Sequence, residues 1–435
     1  MTHDGLAFDT VKVRGGYDPA EHNYAVQVPI YQTTSYELGG TERAERLLRF
    51  EELGFLYSRV TNPTVAALEA RAAALDGATG AIALGSGMAA VSYALLNVAE
   101  GGGRILTTPA LYGGTYDSFG KILPNFGVEV DYAGDVDDPA SFAAAVRPDT
   151  KAIYVETITN PNAAIADVEG LAEVAHANGI PLIVDNTFAT PYLQRPFEHG
   201  ADVVVYSATK GLSGNGSTIA GLVLENGRFD WANGKFPQFT RPEYVLRDRD
   251  GAPRSFVDVA PETPFTLRIR FNYLAYLGAA LGPLDAYLVL LGLETLSERV
   301  GKQVASAEKI VKFLENRPGV SWVRHPSASG SPSAALAEKY TPRGGGVVLS
   351  FGVDGTSDTA HRVIDATELF SYQANVGDAR SLIINSSRTT HGELTADEQA
   401  RAGIDPDTIR LSIGLEDPDD LIADLDRAIT KGLAG

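Results

Sequence analysis

Between residues 80 and 227, short apolar runs alternate with stretches of helical periodicity. The runs at 81–84, 104–107, 128–132, 152–156, 182–185, 203–207 and 219–224 are almost continuously apolar and short enough for buried strands. Helical patterns lie between most of them. One, 168–178, points Leu171, Val174 and Ala175 inward. This alternation predicts an α/β fold with a mostly parallel sheet covered on both faces. Just upstream, Asn62 and Pro63 read as helix cap and first helical residue, Val65, Leu68, Ala72 and Leu75 as the apolar stripe, and Gly77 as the stop.

The flanks follow other patterns. Residues 1–61 are rich in Tyr, Thr and Gly and show no period, as expected of an arm that wraps another surface. Residues 228–264 are Pro-rich, aromatic and charged, and read as a long loop or insertion. A long helical stretch at 283–316 precedes mixed strands (346–353, 382–384, 409–413) and helices (359–370, 419–429), the pattern of a smaller α+β domain. The expected organisation is an arm at 1–61, a large domain at 62–282 and a C-terminal domain at 283–435.

Composition narrows the function classes. The chain has 435 residues, 44% of them hydrophobic, enough for two packed domains. It has no cysteine, which removes thiol nucleophiles, disulfides and cysteine-ligated metals. Seven histidines are scattered without paired ligand spacing, so no metal site is expected. A formal charge of −19 repels phosphate backbones and argues against nucleic acid. No apolar run approaches the ~20 residues needed to span a bilayer. The start, Met1 to Gly5, lacks the basic and apolar regions of a secretion signal, so a cytoplasmic enzyme is expected.

In open α/β sheets, ligands bind beyond the carboxyl ends of the strands. Lys210 ends the apolar run that starts at Val203, and a lysine there is partly desolvated, with a lowered pKa suited to a nucleophile or base. Ser207 and Thr209, two residues apart, are expected on one strand face beside it. After the first strand, Gly85-Ser86-Gly87-Met88-Ala89-Ala90 opens a helix whose N-terminus favours an anion. The same string fits the loose dinucleotide pattern GxGxxA. The acidic ribose-binding residue expected ~20 positions on is absent, so a phosphate cradle is the better reading. Tyr112, between a strand end and the pair Gly113-Gly114, can stack on a planar ring, or simply pack. Asp185 ends a buried strand, where a carboxylate needs a partner such as a protonated pyridine nitrogen; a structural ion pair is the alternative. Asn160 also follows a strand and can donate to a phenolic oxygen. Together these residues describe a site for pyridoxal 5′-phosphate (PLP).

The chain also resembles the cysteine/methionine-metabolism family of PLP enzymes, of aspartate-aminotransferase-like fold (fold type I), over almost its whole length. The likeness lies in residues 28–36 (VPIYQTTSY), 57–64 (YSRVTNPT), 184–191 (VDNTFATP) and 207–210 (SATK). The resemblance implies that Lys210 anchors the cofactor, that Ser86, Gly87, Met88, Ser207 and Thr209 bind its phosphate, that Tyr112 stacks on the ring and that Asp185 meets the ring nitrogen. It places Asn160 near the cofactor, and Tyr57 and Arg59 at the phosphate of a neighbouring subunit's cofactor, which implies an obligate oligomer, a homotetramer built as a dimer of dimers. Arg410 matches the substrate-carboxylate arginine and Ser381 a substrate-side serine.

Within the family, the segment at 229–237 (FDWANGKFP) and Gly114, where γ-lyases commonly carry cysteine, are similar to the sulfhydrylases. The implied reaction is γ-replacement on O-acetyl-L-homoserine by sulfide or a thiol, with Lys210 as base and Tyr112 and Tyr57 as proton carriers. A γ-lyase acting on methionine or cystathionine is the alternative in the same scaffold. From another class, a nicotinamide-dependent oxidoreductase would use Gly85 to Ala90. The chain departs from the family pattern at Tyr206, where histidine is usual, at 211–216, at Ser386-Ser387-Arg388 before Thr389-Thr390-His391, and around Arg268 and Arg270. These departures are expected to bear on substrate and sulfur donor.

Overall fold

A computed structural model describes residues 5–49, 51–52, 54–390, 392 and 394–434. The seven predicted strands form one sheet: β1 (Gly80–Leu84), β2 (Gly103–Thr107), β3 (Val128–Tyr132), β4 (Thr150–Glu156), β5 (Leu182–Asp185), β6 (Val203–Ser207) and β7 (Gly221–Glu225). Their spatial order is β1-β7-β6-β5-β4-β2-β3. Strands β2 to β6 run parallel, whereas β7 lies antiparallel between β6 and β1. The continuous apolarity of the runs has a direct cause: Ile153, Tyr154, Val155, Ile183, Val184, Val203, Val204 and Val205 are all fully buried under helices on both faces.

Helix boundaries follow the capping signals. The helix Pro63–Asp76 starts where the Asn62 side chain accepts from the Thr64 and Val65 amides and stops at Gly77, whose φ of 74° is left-handed. Such a cap contributes about 1 kcal/mol. Val65, Leu68, Ala72 and Leu75 are buried as expected.

Three expectations need correction. Residues 1–61 are not wholly irregular: they carry short helices at Phe8–Arg14, Pro19–His22 and Thr41–Leu48. The first is docked by Val11, buried in the core, and by the Arg71 guanidinium, which donates to Gly15 O at 2.8 Å. Residues 228–264 are not an unstructured loop. They hold the hairpin β8 (Glu243–Arg247) and β9 (Pro253–Arg254), and an aromatic cluster in which Trp231 packs on Phe229, Phe236, Phe239 and Phe265 with centroids 4.6–5.4 Å apart. The missing periodicity reflects burial by aromatic stacking rather than by one face of a regular element. The stretch 283–316 is two helices, Pro283–Glu294 and Leu296–Glu315, which meet at Thr295.

The second of those helices joins two cores. Val300 and Val304 pack with the large sheet, whereas Ala307, Ile310, Val311 and Leu314 pack under the C-terminal sheet. That sheet comprises β10 (Val320–Arg324), β11 (Val348–Val353), β12 (Ser371–Tyr372), β13 (Leu382–Asn385) and β14 (Ile409–Ser412), in the order β10-β11-β14-β13-β12. Helices Ser357–Ala366 and Pro418–Leu433 cover it through Val363, Leu421, Leu425 and Ile429. β14 brings Arg410 from this sheet to the carboxyl edge of the large one.

Candidate active site

The carboxyl ends of β1, β2, β4, β5 and β6 open onto one cavity of about 240 Å³. Ten of the predicted site residues line it: Ser86, Gly87, Met88, Tyr112, Asn160, Asp185, Ser207, Thr209, Lys210 and Arg410. Three do not. Tyr57 and Arg59 are exposed and pair with each other, the guanidinium 5.2 Å from the ring centroid. Ser381 is wholly buried behind the site, where its hydroxyl donates to Glu416 Oε2 at 2.8 Å and accepts from the Gly414 amide at 2.9 Å. That corrects its assignment to the substrate side: its hydroxyl is spent on closing a loop of the C-terminal sheet.

One corner of the cavity is built for an oxyanion. Ser86 caps the helix Gly87–Val98, its side chain accepting from the Ala89 amide at 3.1 Å, so the first turn of this helix faces the cavity. A Cβ on Gly87 would meet the Ser207 side chain at 2.6 Å, so only glycine lets the helix start come this close to β6. Strand β6 ends at Ser207. Thr209 and Lys210 lie in the turn beyond it, not on the strand as expected, because the Lys210 amide folds back onto Ser207 O at 3.1 Å. Both hydroxyls still reach the cavity. Arg299, buried, clamps the turn from behind by donating to Gly211 O at 2.9 Å and Leu212 O at 3.2 Å.

The same cavity takes in Asp185. Its Oδ1 accepts from the Thr187 amide at 2.9 Å and its Oδ2 from the Tyr154 hydroxyl at 3.3 Å. Burial pushes this carboxyl up, and the Thr187 hydrogen bonds oppose the rise. Its neighbour in register on β4, Glu156, is pushed well up by burial and then by the Asp185 charge. Both carboxyls are pushed up, Glu156 further than Asp185, and each disfavours charge on the other. A buried anion of this kind needs a cation, and its hydrogen-bond partners in the chain are neutral.

Lys210 and Arg410 line the cavity as well. Burial, then the Arg410 charge, push the Lys210 amine down to about 8. Its Nζ donates to Asn375 Oδ1 at 2.5 Å. Arg410 is buried and pushed down to about 10 by burial. Its Nη1 donates to Asn160 Oδ1 at 2.9 Å and its Nη2 to Asn375 O at 3.2 Å. Tyr112 is 42% exposed and flanks the cavity. A Cβ on Gly114 would meet its ring at 2.7 Å, so the glycine leaves the ring its place.

Sequence reasoning missed Glu156, Asn375 and Arg299. Glu156 carried the same signal as Asp185, an acid ending a buried strand; Asn375 lies in an aperiodic loop and gave none. Of the departures from the family pattern, 211–216 follows Lys210 directly, whereas Tyr206, Arg268 and Arg270 do not line the cavity. Tyr206 is buried on the other face of β6, where its hydroxyl donates to the Asp76 carboxyl at 2.8 Å and accepts from Asn186 Nδ2 at 2.8 Å. Arg268 binds Asn97 and Glu100, and Arg270 binds Glu69. The side chains of these three are therefore engaged in packing away from the cavity. Ser387 donates to Pro406 O at 3.1 Å, Thr390 lines the cavity, and His391 lies outside the described residues.

The donor set fits PLP. An oxyanion corner of hydroxyls and a helix start, a buried carboxylate, an aromatic ring at the flank and an amine of lowered pKa match its phosphate, ring nitrogen, ring face and aldehyde. The Gly85–Ala90 string forms the oxyanion corner at a sheet-edge strand that pairs antiparallel with β7, not the first crossover of a dinucleotide fold.

Comparison with known proteins agrees. Residues 9–430 match the family model of Cys/Met metabolism PLP-dependent enzymes. The chain is 40% identical over 429 residues to the O-acetyl-L-homoserine sulfhydrylase of Leptospira meyeri, covering 97% of this chain and 96% of that protein. It is 41% identical over 425 residues to the homocysteine synthase of Schizosaccharomyces pombe, covering 97% and 98%. Among solved structures, it superposes with a TM-score of 0.92 and 38% identity on a Campylobacter jejuni protein described as an O-acetylhomoserine (thiol)-lyase, covering 98% of this chain and all of that one. That structure carries a pyridoxyl-lysine phosphate. The chain belongs to the Cys/Met-metabolism family of PLP-dependent enzymes.

Proposed function

We propose that this enzyme catalyses γ-replacement on O-acetyl-L-homoserine. Sulfide or a thiol such as methanethiol takes the place of acetate at Cγ, giving homocysteine or methionine plus acetate. The observation that carries the reading is one cavity in which a buried guanidinium, Arg410, stands beside an amine of lowered pKa, Lys210, both tied to Asn375. Relatives with the sulfhydrylase name align end to end with the chain.

Bound PLP supplies an aldehyde for the amino group and a ring that takes up the electron pair left at the α-carbon. The chain's residues do the rest. Ser86, Ser207, Thr209 and the amides of Gly87 and Met88 hold the phosphate. Asp185 keeps a proton on the ring nitrogen, and Asn160 lies near the ring. Arg410 takes the substrate carboxylate through its planar fork. Lys210, with a pKa of about 8, is partly unprotonated at neutral pH and receives the α-proton at Nζ. Tyr112 stacks on the ring and, with Tyr57, carries protons toward Cγ. Val91, Ile158, Phe188 and Val376 wall the cavity with apolar surface that suits a sulfur nucleophile better than water.

Tyr57 and Arg59 serve a neighbouring copy in this reading, and the assembly is a cytoplasmic homotetramer with residues 1–61 as its inter-subunit arm. Their exposure away from their own cavity supports this, as do exposed Tyr24, Val26 and Leu48 on the same segment. Among the described residues, no helix is long and apolar enough to cross a membrane. Product analysis tests the reaction: O-acetyl-L-homoserine plus sulfide must yield homocysteine and acetate in equal amounts. Release of ammonia, a 2-oxo acid and thiol from methionine alone, without replacement, would assign a γ-lyase instead.

A further inference from the structure

Glu156 is the cavity-lining acid that the reaction described above leaves unused. It ends β4, is 5% exposed, and stands in register with Asp185 on β5. Its Oε1 accepts from the Tyr112 amide at 2.6 Å and its Oε2 from the Asn160 amide at 3.1 Å. The Tyr112 amide precedes its helix and the Asn160 amide follows the end of β4, so neither belongs to a regular ladder. Both residues line the cavity, on different loops. Asn160 passes the constraint on: its Oδ1 accepts from Arg410 Nη1 at 2.9 Å, Arg410 Nη2 donates to Asn375 O at 3.2 Å, and Asn375 Oδ1 accepts from Lys210 Nζ at 2.5 Å.

We infer that Glu156 is a positioning residue that sets the Tyr112 ring and, through Asn160, the Arg410 fork, so that one carboxyl aligns the cofactor-stacking and substrate-binding walls of the cavity. The residue type follows from the geometry. Two separate amides need two acceptor oxygens on one short stem. Glutamine offers one acceptor and turns an NH2 group against the other N–H. Aspartate is one methylene short of spanning the two loops.

The inference rests on Arg410 as the carboxylate-binding group, and its test reads that link directly in the holoenzyme. Glu156→Gln should raise KM for O-acetyl-L-homoserine by about ten- to a hundred-fold and lower kcat several-fold, because the fork loses its register and the Tyr112 ring its place. The dissociation constant of unreactive L-homoserine, titrated by the visible absorbance of the bound cofactor, should rise by the same factor. Asn160→Ala cuts only the second link and should give the same rise, which reads the relay even if Glu156→Gln fails to fold. The double variant should add nothing to the larger single effect. A merely structural acid would lower the melting temperature and the active fraction at unchanged KM. Unchanged KM and L-homoserine affinity in either variant, or fully multiplicative effects in the double, would overturn the inference. A wild-type enzyme that fails to convert O-acetyl-L-homoserine would instead overturn the proposed function, and the L-homoserine titration would still decide the role of Glu156.

Discussion

Arg410→Lys probes the cavity most sharply, because the structure predicts both a loss and a new pH dependence. The guanidinium already uses Nη1 and Nη2 on Asn160 and Asn375, which leaves its remaining N–H groups for a carboxylate in fixed geometry. A lysine offers one compact charge and cannot keep both tethers and the fork. Loss of one charge-assisted hydrogen bond costs about 1.5–3 kcal/mol, so KM for O-acetyl-L-homoserine should rise by about ten- to a hundred-fold. Burial takes Arg410 from 12.5 to about 10. The same burial pushes a lysine amine at this position below its ordinary value, into a range where it loses its charge as pH rises. The variant should therefore lose substrate affinity more steeply than the parent as pH rises from 7 to 9, since the parent's guanidinium keeps its charge there and only the titration of Lys210 is common to both. Steady-state KM and L-homoserine titrations across that range are the assay. A variant whose KM matches the parent's, or whose affinity follows the parent's pH profile, would refute the placement of a buried, carboxylate-binding guanidinium at 410.

Further tests follow from other parts of the molecule. Gly114→Ala forces the half-exposed Tyr112 ring aside, so kcat/KM should fall at least several-fold while the melting temperature barely moves; unchanged kinetics would show that the ring has no fixed place. Trp231→Ala empties the centre of an aromatic cluster remote from the cavity and should cost about 3–5 kcal/mol of stability in chemical denaturation, with normal kcat per folded molecule. His325 is buried and pushed down to about 4, so the unfolded chain takes its proton first as pH falls below 6.5 and the folded state loses roughly 3 kcal/mol by pH 4. Asp76 and Glu225, pushed up to about 7, act in the opposite direction, so the effect is read as a difference: His325→Gln should gain on the parent between pH 6.5 and 4, and parallel profiles would contradict it.

The large sheet was legible because its strands are buried on both faces, which writes itself into sequence as unbroken apolar runs such as 182–184 and 203–205. The site was legible where polar residues end those runs, as at Asp185, Ser207 and the helix start after Leu84. It was illegible where long-range contacts decide. Asn375 meets Lys210 across 165 positions of sequence, and no local pattern announces that contact. The family resemblance put Ser381 on the substrate side, yet Glu416 from the loop after β14 claims its hydroxyl. Tyr206 alternates with Ser207 on one strand, and the period of two sends it to the opposite face, to Asp76, although a sequence reading tied it to substrate choice. The segment 228–264 hid its order because aromatic stacking follows no helical or strand period.

The attachment of the cofactor can be read directly. Borohydride reduction of the holoenzyme, proteolysis and mass spectrometry locate the pyridoxyl group on the chain. The cavity geometry predicts one modified residue per subunit, Lys210, with loss of both label and turnover in Lys210→Ala at an unchanged melting temperature of the apoenzyme. A pyridoxyl group on any other lysine, or a Lys210→Ala enzyme that keeps its colour and rate, would contradict it.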